Sequence, residues 1–231
     1  MDPRYAVIDS SYPSGLSAAS RHQVLRNTYG LLGLSLVPTV LGAWVGVATG
    51  ITQSMGNVLG LILFLGGAFG FMYAIERTKN SGAGVAVLLA FTFFMGLMMS
   101  RLIATVLGFK NGSGLIMTAF GGTAGVFFVM ASLSSVIKRD LSGLGQWLFV
   151  GALAILLGGI INVFVGSTAG MMVLSVMAIG VFSAYMLYDL KRIVDGGETN
   201  YISATLALYL DVINVFQSLL ALFGMLGGER D

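Results

Sequence analysis

LGQWLFVGALAILLGGIINVFV, residues 144–165, carries no charged side chain over 22 positions. Wound as an α-helix at 1.5 Å per residue, it extends for about 33 Å, enough to cross a hydrocarbon core of roughly 30 Å. A barrel strand would instead alternate apolar and polar residues over about 10 positions. Here the apolar residues are contiguous, so the stretch reads as a spanning helix. Reading outward, similar runs recur at 29–48, 55–75, 82–107, 115–137, 169–189 and 202–226. The reading is therefore an all-α membrane protein with seven transmembrane helices. Residues 1–28 form a polar tail, 29–226 the seven-helix domain and 227–231 a short C-terminal tail. The run at 202–226 contains an aspartate, and its alternative is a re-entrant segment that would leave both termini on one side.

Composition agrees. Charged residues make up 10% of the 231 positions, and the apolar set reaches 56% before the 33 glycines are added. A soluble domain carries about 25% charged residues, and disorder needs low hydrophobicity with high net charge. A net charge of +2 is too small to point to nucleic acid. Without cysteine there is no disulfide framework, thiolate metal site or cysteine nucleophile. The first 28 residues have no apolar core ahead of a cleavage site, so a signal peptide is not expected and the first run serves as a retained span.

Orientation follows from Lys and Arg, which collect in cytoplasmic loops. With the N-terminus inside, Arg4, Arg21, Arg26, Arg77, Lys79, Lys138, Arg139, Lys191 and Arg192 fall on the cytoplasmic side, against Lys110 and Arg230 opposite. That arrangement places the C-terminus outside the cytoplasm.

Three charged residues remain inside or at the ends of runs: Asp189, Asp211 and Arg101. Buried charges in a bilayer cost several kcal/mol and face a partner or a cavity. A hairpin turning near residue 200 brings Asp189 and Asp211, each 11 residues from the turn, to one depth. A proton shared between two carboxylates in low dielectric is then the expected resting state near neutral pH, and it could latch the two helices. The alternatives are that Asp189 sits at the interface beside Lys191 and Arg192, and that Asp211 makes a structural hydrogen bond to another helix. Arg101 is expected to snorkel to the non-cytoplasmic headgroups. Gly66 with Gly70, and Gly121 with Gly125, read as close helix contacts. Pro38 is expected to kink the first helix. The 13 methionines read as packing, and His22, the sole histidine, does not make a metal site.

Paired intramembrane aspartates serve either peptide hydrolysis or a cation path. An aspartyl protease would carry Gly-x-Gly-Asp where this chain has Leu208-Tyr209-Leu210-Asp211, and a Pro-Ala-Leu element, whereas the prolines are Pro3, Pro13 and Pro38. No histidine lies in a run to serve a serine nucleophile. The chain is therefore not read as an enzyme. Carboxylates suit Ca²⁺ and select cations in pores. One pair is too few ligands for a tight site, so Asp189 and Asp211 are expected to bind Ca²⁺ only in passage, with no resident cofactor.

AYMLYDLKRIV at 184–194, followed by GGETNYISATLALYLDVINVFQSLLALFG at 196–224, resembles the end of the transmembrane Bax inhibitor motif family. HQVLRNTYGLLGLSL at 22–36 and the loop GGETNYI resemble its bacterial, YccA-like branch. The resemblance implies six helices around a central seventh and a cytoplasmic (inner) membrane location. It also implies a di-aspartyl pH sensor linked to Ca²⁺ leak, carried over to Asp189 and Asp211, the residues the charge pattern isolates independently. An arginine near the end of the second helix belongs to that sensor, and Arg77 is the nearest match. Where family members often have Gly-Pro late in the third helix, this chain has Ser100-Arg101. Branch members lacking one or both aspartates are similar to regulators of the membrane-anchored AAA protease FtsH. A non-conducting modulator of that protease is accordingly the second expectation, with the polar N-terminal tail as the part such a partner would engage.

Overall fold

The computed structural model describes residues 18–228. These form seven α-helices: α1 (Ala18–Thr49), α2 (Asn57–Thr78), α3 (Gly82–Leu107), α4 (Gly112–Val136), α5 (Leu144–Val165), α6 (Thr168–Asp195) and α7 (Tyr201–Gly227). Each is long and apolar enough to cross a bilayer. Helices are the form such runs must take, because a backbone in hydrocarbon has to satisfy its own hydrogen bonds. The run at 202–226 is one continuous helix rather than a re-entrant segment.

Two boundaries differ from the sequence reading for physical reasons. Helix α1 begins eleven residues earlier than the apolar run, because Val24 and Leu25 pack on the core and Thr28 is fully buried. Residues 18–28 therefore belong to α1, and the remainder of the tail expected at 1–28, with Arg4, lies outside the described residues, as does Arg230. Helix α6 continues past Asp189 to Asp195. Lys191 pairs with Asp195 one turn on, at 2.7 Å, and Gly196 ends the helix at φ 82°, a left-handed conformation that favours glycine. Helix α1 also runs through Pro38 without interruption.

Helix α7 packs against α1, α2, α3, α4 and α6, while α5 stands one layer out on α6 and α2. The enclosure of α7 expected from the resemblance is thus made by five helices rather than six. Along α7, Leu208, Tyr209, Val215 and Leu220 are fully buried. The outer face of α5 exposes Trp147, Phe149, Ile161 and Phe164 to lipid. Helices α1 and α3 make the closest seam: a Cβ on Gly42 would lie 2.1 Å from the Phe93 carbonyl oxygen, and one on Gly96 2.0 Å from that of Thr39. The glycine pairs singled out from the sequence do not serve this purpose. Gly66, Gly70, Gly121 and Gly125 have nothing within 4 Å of a Cβ position. Four-residue spacing aligns small residues on one stripe of a helix, but the helix's rotation decides whether that stripe meets a neighbour.

Asn200 fixes the α6–α7 turn. Its Oδ1 accepts from the backbone N–H groups of Ile202 (2.9 Å) and Ser203 (3.1 Å), capping α7. Its Nδ2 donates to the Lys79 carbonyl (3.0 Å) and to Asn80 Oδ1 (2.9 Å) in the α2–α3 loop. Asn200→Ala is expected to cost about 1–2 kcal/mol through loss of the cap alone, read as a lower thermal midpoint of the detergent-solubilised protein. Asn200→Asp keeps the cap but loses the donors to Lys79 and Asn80, so its midpoint should fall between wild type and Asn200→Ala.

Candidate functional site

The α6–α7 hairpin brings Asp189 and Asp211 together, and their carboxyl groups meet within hydrogen-bonding reach. The geometry is not the symmetric one. Asp189 is six residues from the end of α6, whereas Asp211 is ten residues into α7, an offset of about 6 Å in rise. Side-chain direction closes the gap. On each helix the Cα–Cβ bond tilts toward that helix's own N-terminus. In an antiparallel hairpin, Asp189 therefore leans inward from the turn and Asp211 leans back toward it.

Asp211 is 4% exposed, and its Oδ2 is buried with no hydrogen-bond partner. A carboxylate oxygen only accepts, so facing a second carboxylate it finds no donor unless one of the two carries a proton. A single proton on the pair supplies the missing hydrogen bond. Arg192 NH1 lies 3.9 Å from Asp189 Oδ1, with side-chain exposures of 44% and 12% respectively. The same guanidinium reaches Glu198 Oε2 through NH2 at 3.2 Å, and Glu198 Oε1 accepts the backbone N–H groups of Thr199 and Asn200, both at 2.9 Å. Arg192 thus links the pair to the turn. Tyr185, one turn before Asp189, lies near both carboxylates.

Arg77, the cation expected at the site, goes elsewhere, and Arg101 lies far from it. Arg77 is exposed and stays on its own helix, with Nε donating to the Tyr73 hydroxyl at 3.1 Å and the guanidinium 5.2 Å from that ring. The cation beside Asp189 comes instead from α6 itself, and the three-residue spacing of Asp189 and Arg192 was the signal available in the sequence. Glu198 carried no such signal, since only the turn's geometry aims it at Arg192. Arg101 faces away from the pair, beside Thr52 and Asn57 at the opposite end of the bundle. Among the described residues, no group of three or more His, Asp or Glu side chains could hold a metal ion. Two carboxylates fall short of the six to eight oxygen ligands that Ca²⁺ takes in a retaining site.

These features define a multi-pass helical membrane protein with a carboxylate pair buried between its last two spans. The family described as "Inhibitor of apoptosis-promoting Bax1" matches residues 21–228, and the chain belongs to that family. It is 37% identical over 217 residues to the "Modulator of FtsH protease YccA" of Escherichia coli K12, covering 94% of this chain and 96% of that protein. The same figures hold for the "Inner membrane protein YccA" of Escherichia coli O6:H1. An uncharacterized membrane protein of Vibrio cholerae serotype O1 is 34% identical over 208 residues, covering 90% and 92%. The chain is a multi-pass protein of the bacterial inner membrane, and its family and relatives point to a modulator or channel rather than an enzyme.

Proposed function

We propose that the protein is a pH-sensitive cation leak of the inner membrane in which Asp189 and Asp211 form a proton-operated latch between α6 and α7. One observation carries this reading: two carboxylates from consecutive spans face each other while Asp211 Oδ2 lacks any other donor. With one proton on the pair, an O–H···O bond ties the helices together. Without it, two anions repel across a low-dielectric gap, and Arg192, 44% exposed and 3.9 Å away, offsets only part of that. Loss of the proton as pH rises therefore releases the latch, and the freed carboxylates favour hard cations such as Ca²⁺. Asp140 does not contribute to this response. In the α4–α5 loop it accepts from the Ser142 N–H and hydroxyl, both at 2.8 Å, which holds its carboxyl below the ordinary carboxylate range. What its ionised form contributes is present above about pH 4 and is lost only as pH falls further.

Purified protein in liposomes loaded with a Ca²⁺ indicator tests the proposal. Flux above that of protein-free vesicles, increasing with pH, is the expected result. Flux indistinguishable from empty vesicles at every pH overturns it.

A second reading is supported by the printed name of the Escherichia coli K12 relative: modulation of a membrane-anchored AAA protease such as FtsH, without ion flux. In this reading the residues ahead of α1 engage the protease. Deleting residues 2–17 should then abolish co-purification with the protease and change its substrate turnover. Unchanged binding and turnover would remove the tail-dependent version.

A further inference from the structure

At the end of the bundle opposite the carboxylate pair, α2, α3, α5 and the α1–α2 loop enclose a cleft of about 250 Å³. Its polar wall is Arg101, Asn57 and Thr52, and its apolar wall includes Leu61, Phe64 and Val163. Thr52 is buried and shares a 2.6 Å hydrogen bond with the buried Ser100, which pins the loop onto α3 and makes that wall rigid. Among the described residues, no carboxylate pairs with Arg101 and no acceptor bonds its guanidinium; the side-chain amide of Asn57 is likewise unengaged. Helix α2 starts at Asn57 and α5 ends at Val165. The cleft therefore lies where two of its three helices leave the hydrocarbon, at the depth of lipid headgroups.

We infer that this cleft binds the phosphate of a bilayer phospholipid, with Arg101 and Asn57 on the phosphate oxygens and the apolar wall against the start of an acyl chain. An unpaired guanidinium at this depth has a planar fork matched to phosphate oxygens. The cleft's small volume suits a phosphate and its glycerol better than a whole drug-sized ligand. Arg101 is then neither a free snorkelling charge nor a partner of the aspartates. It anchors α2, α3 and α5 to the lipid on the face away from the latch, so the inference is independent of ion flux.

Native mass spectrometry of the detergent-purified full chain tests this with three probes: phosphatidylglycerol, diacylglycerol of matched chains, and inorganic phosphate. Wild type should retain phosphatidylglycerol over diacylglycerol. Arg101→Gln should lose about tenfold of that preference, the worth of one charge-assisted contact, while diacylglycerol retention stays unchanged. Arg101→Lys should restore part of it. Val163→Trp, which fills the apolar side and leaves Arg101 intact, should also exclude the lipid, and Lys138→Gln at the other end should do nothing. Phosphatidylglycerol retention by both Arg101→Gln and Val163→Trp equal to wild type would overturn the site. Displacement of the lipid by equimolar inorganic phosphate would overturn the assignment to a lipid.

Discussion

Asp211→Asn is expected to flatten the pH dependence of Ca²⁺ flux in proteoliposomes and hold the flux at its low-pH level. Asparagine keeps the shape of the aspartate but carries a permanent N–H donor. Placed at 211, it bonds Asp189 at every pH, as the shared proton does only when present. A hydrogen bond to a charged group is worth about 1.5–3 kcal/mol, or roughly ten- to a hundredfold in the balance between latched and released forms. Measured across roughly pH 6 to 8, wild-type flux should change severalfold and that of the variant should not. Asp189→Asn should behave the same way, because a proton held in common belongs to neither carboxylate. Asp211→Leu removes donor and acceptor together, so it should give high flux at every pH. Equal pH profiles for wild type and Asp211→Asn would discard the latch.

The largest loss of stability should come from the α1–α3 seam rather than from the charged residues. A Cβ at position 96 would lie 2.0 Å from the Thr39 carbonyl oxygen and 2.8 Å from its carbon. Both are backbone atoms, which cannot rotate away as a side chain could, so α1 must move as a body. The same turn of α1 carries Thr39 Oγ1, which shares a 2.9 Å hydrogen bond with the buried Tyr209 hydroxyl of α7. Alanine is ordinarily about 1 kcal/mol better than glycine inside a helix. Here overpacking, about 1–3 kcal/mol in ordinary cores, should reverse that preference at its upper limit. The net cost is about 2 kcal/mol, so Gly96→Ala should lower the thermal midpoint by roughly 4–8 °C at 2–4 °C per kcal/mol. Gly66→Ala, with open space around it, should leave the midpoint unchanged or raise it slightly. If Gly96→Ala melts at or above wild type, α1 and α3 are not in backbone contact.

The contrast between these two glycines shows where the sequence ceased to be informative. Spacing singled out Gly66 with Gly70, yet the tight contacts lie on the α1–α3 seam that includes Gly96. There Gly42 and Gly46 share the same four-residue spacing and meet Phe93 and Ser100, so spacing alone did not tell the packed pair from the open one. The carboxylates were more legible. Asp211 stood out because a charge amid apolar residues is costly wherever the helix faces, and Asp189 followed from counting back across one turn. The counting itself was inexact, since α6 continues six residues beyond Asp189. The meeting survived because the two side chains lean toward each other. Arg77 shows the reverse case: resemblance placed it at the site, and the structure turns it onto Tyr73 while Arg192 stands beside Asp189.

The sequence by itself determined that this chain crosses the bilayer seven times, and which few charges had to be accounted for inside it. Those are questions of transfer from water to hydrocarbon, and they depend on composition along a run. The tertiary structure alone decided which glycines touch, that α5 stands outside the ring around α7, which arginine neighbours the aspartates, and that Arg101 looks into a cleft. Each of these depends on the rotation of a helix about its own axis. Lipid and protein interiors are nearly equally apolar, so hydrophobic pattern scarcely distinguishes the faces of a membrane helix, and only packing against its neighbours fixes them.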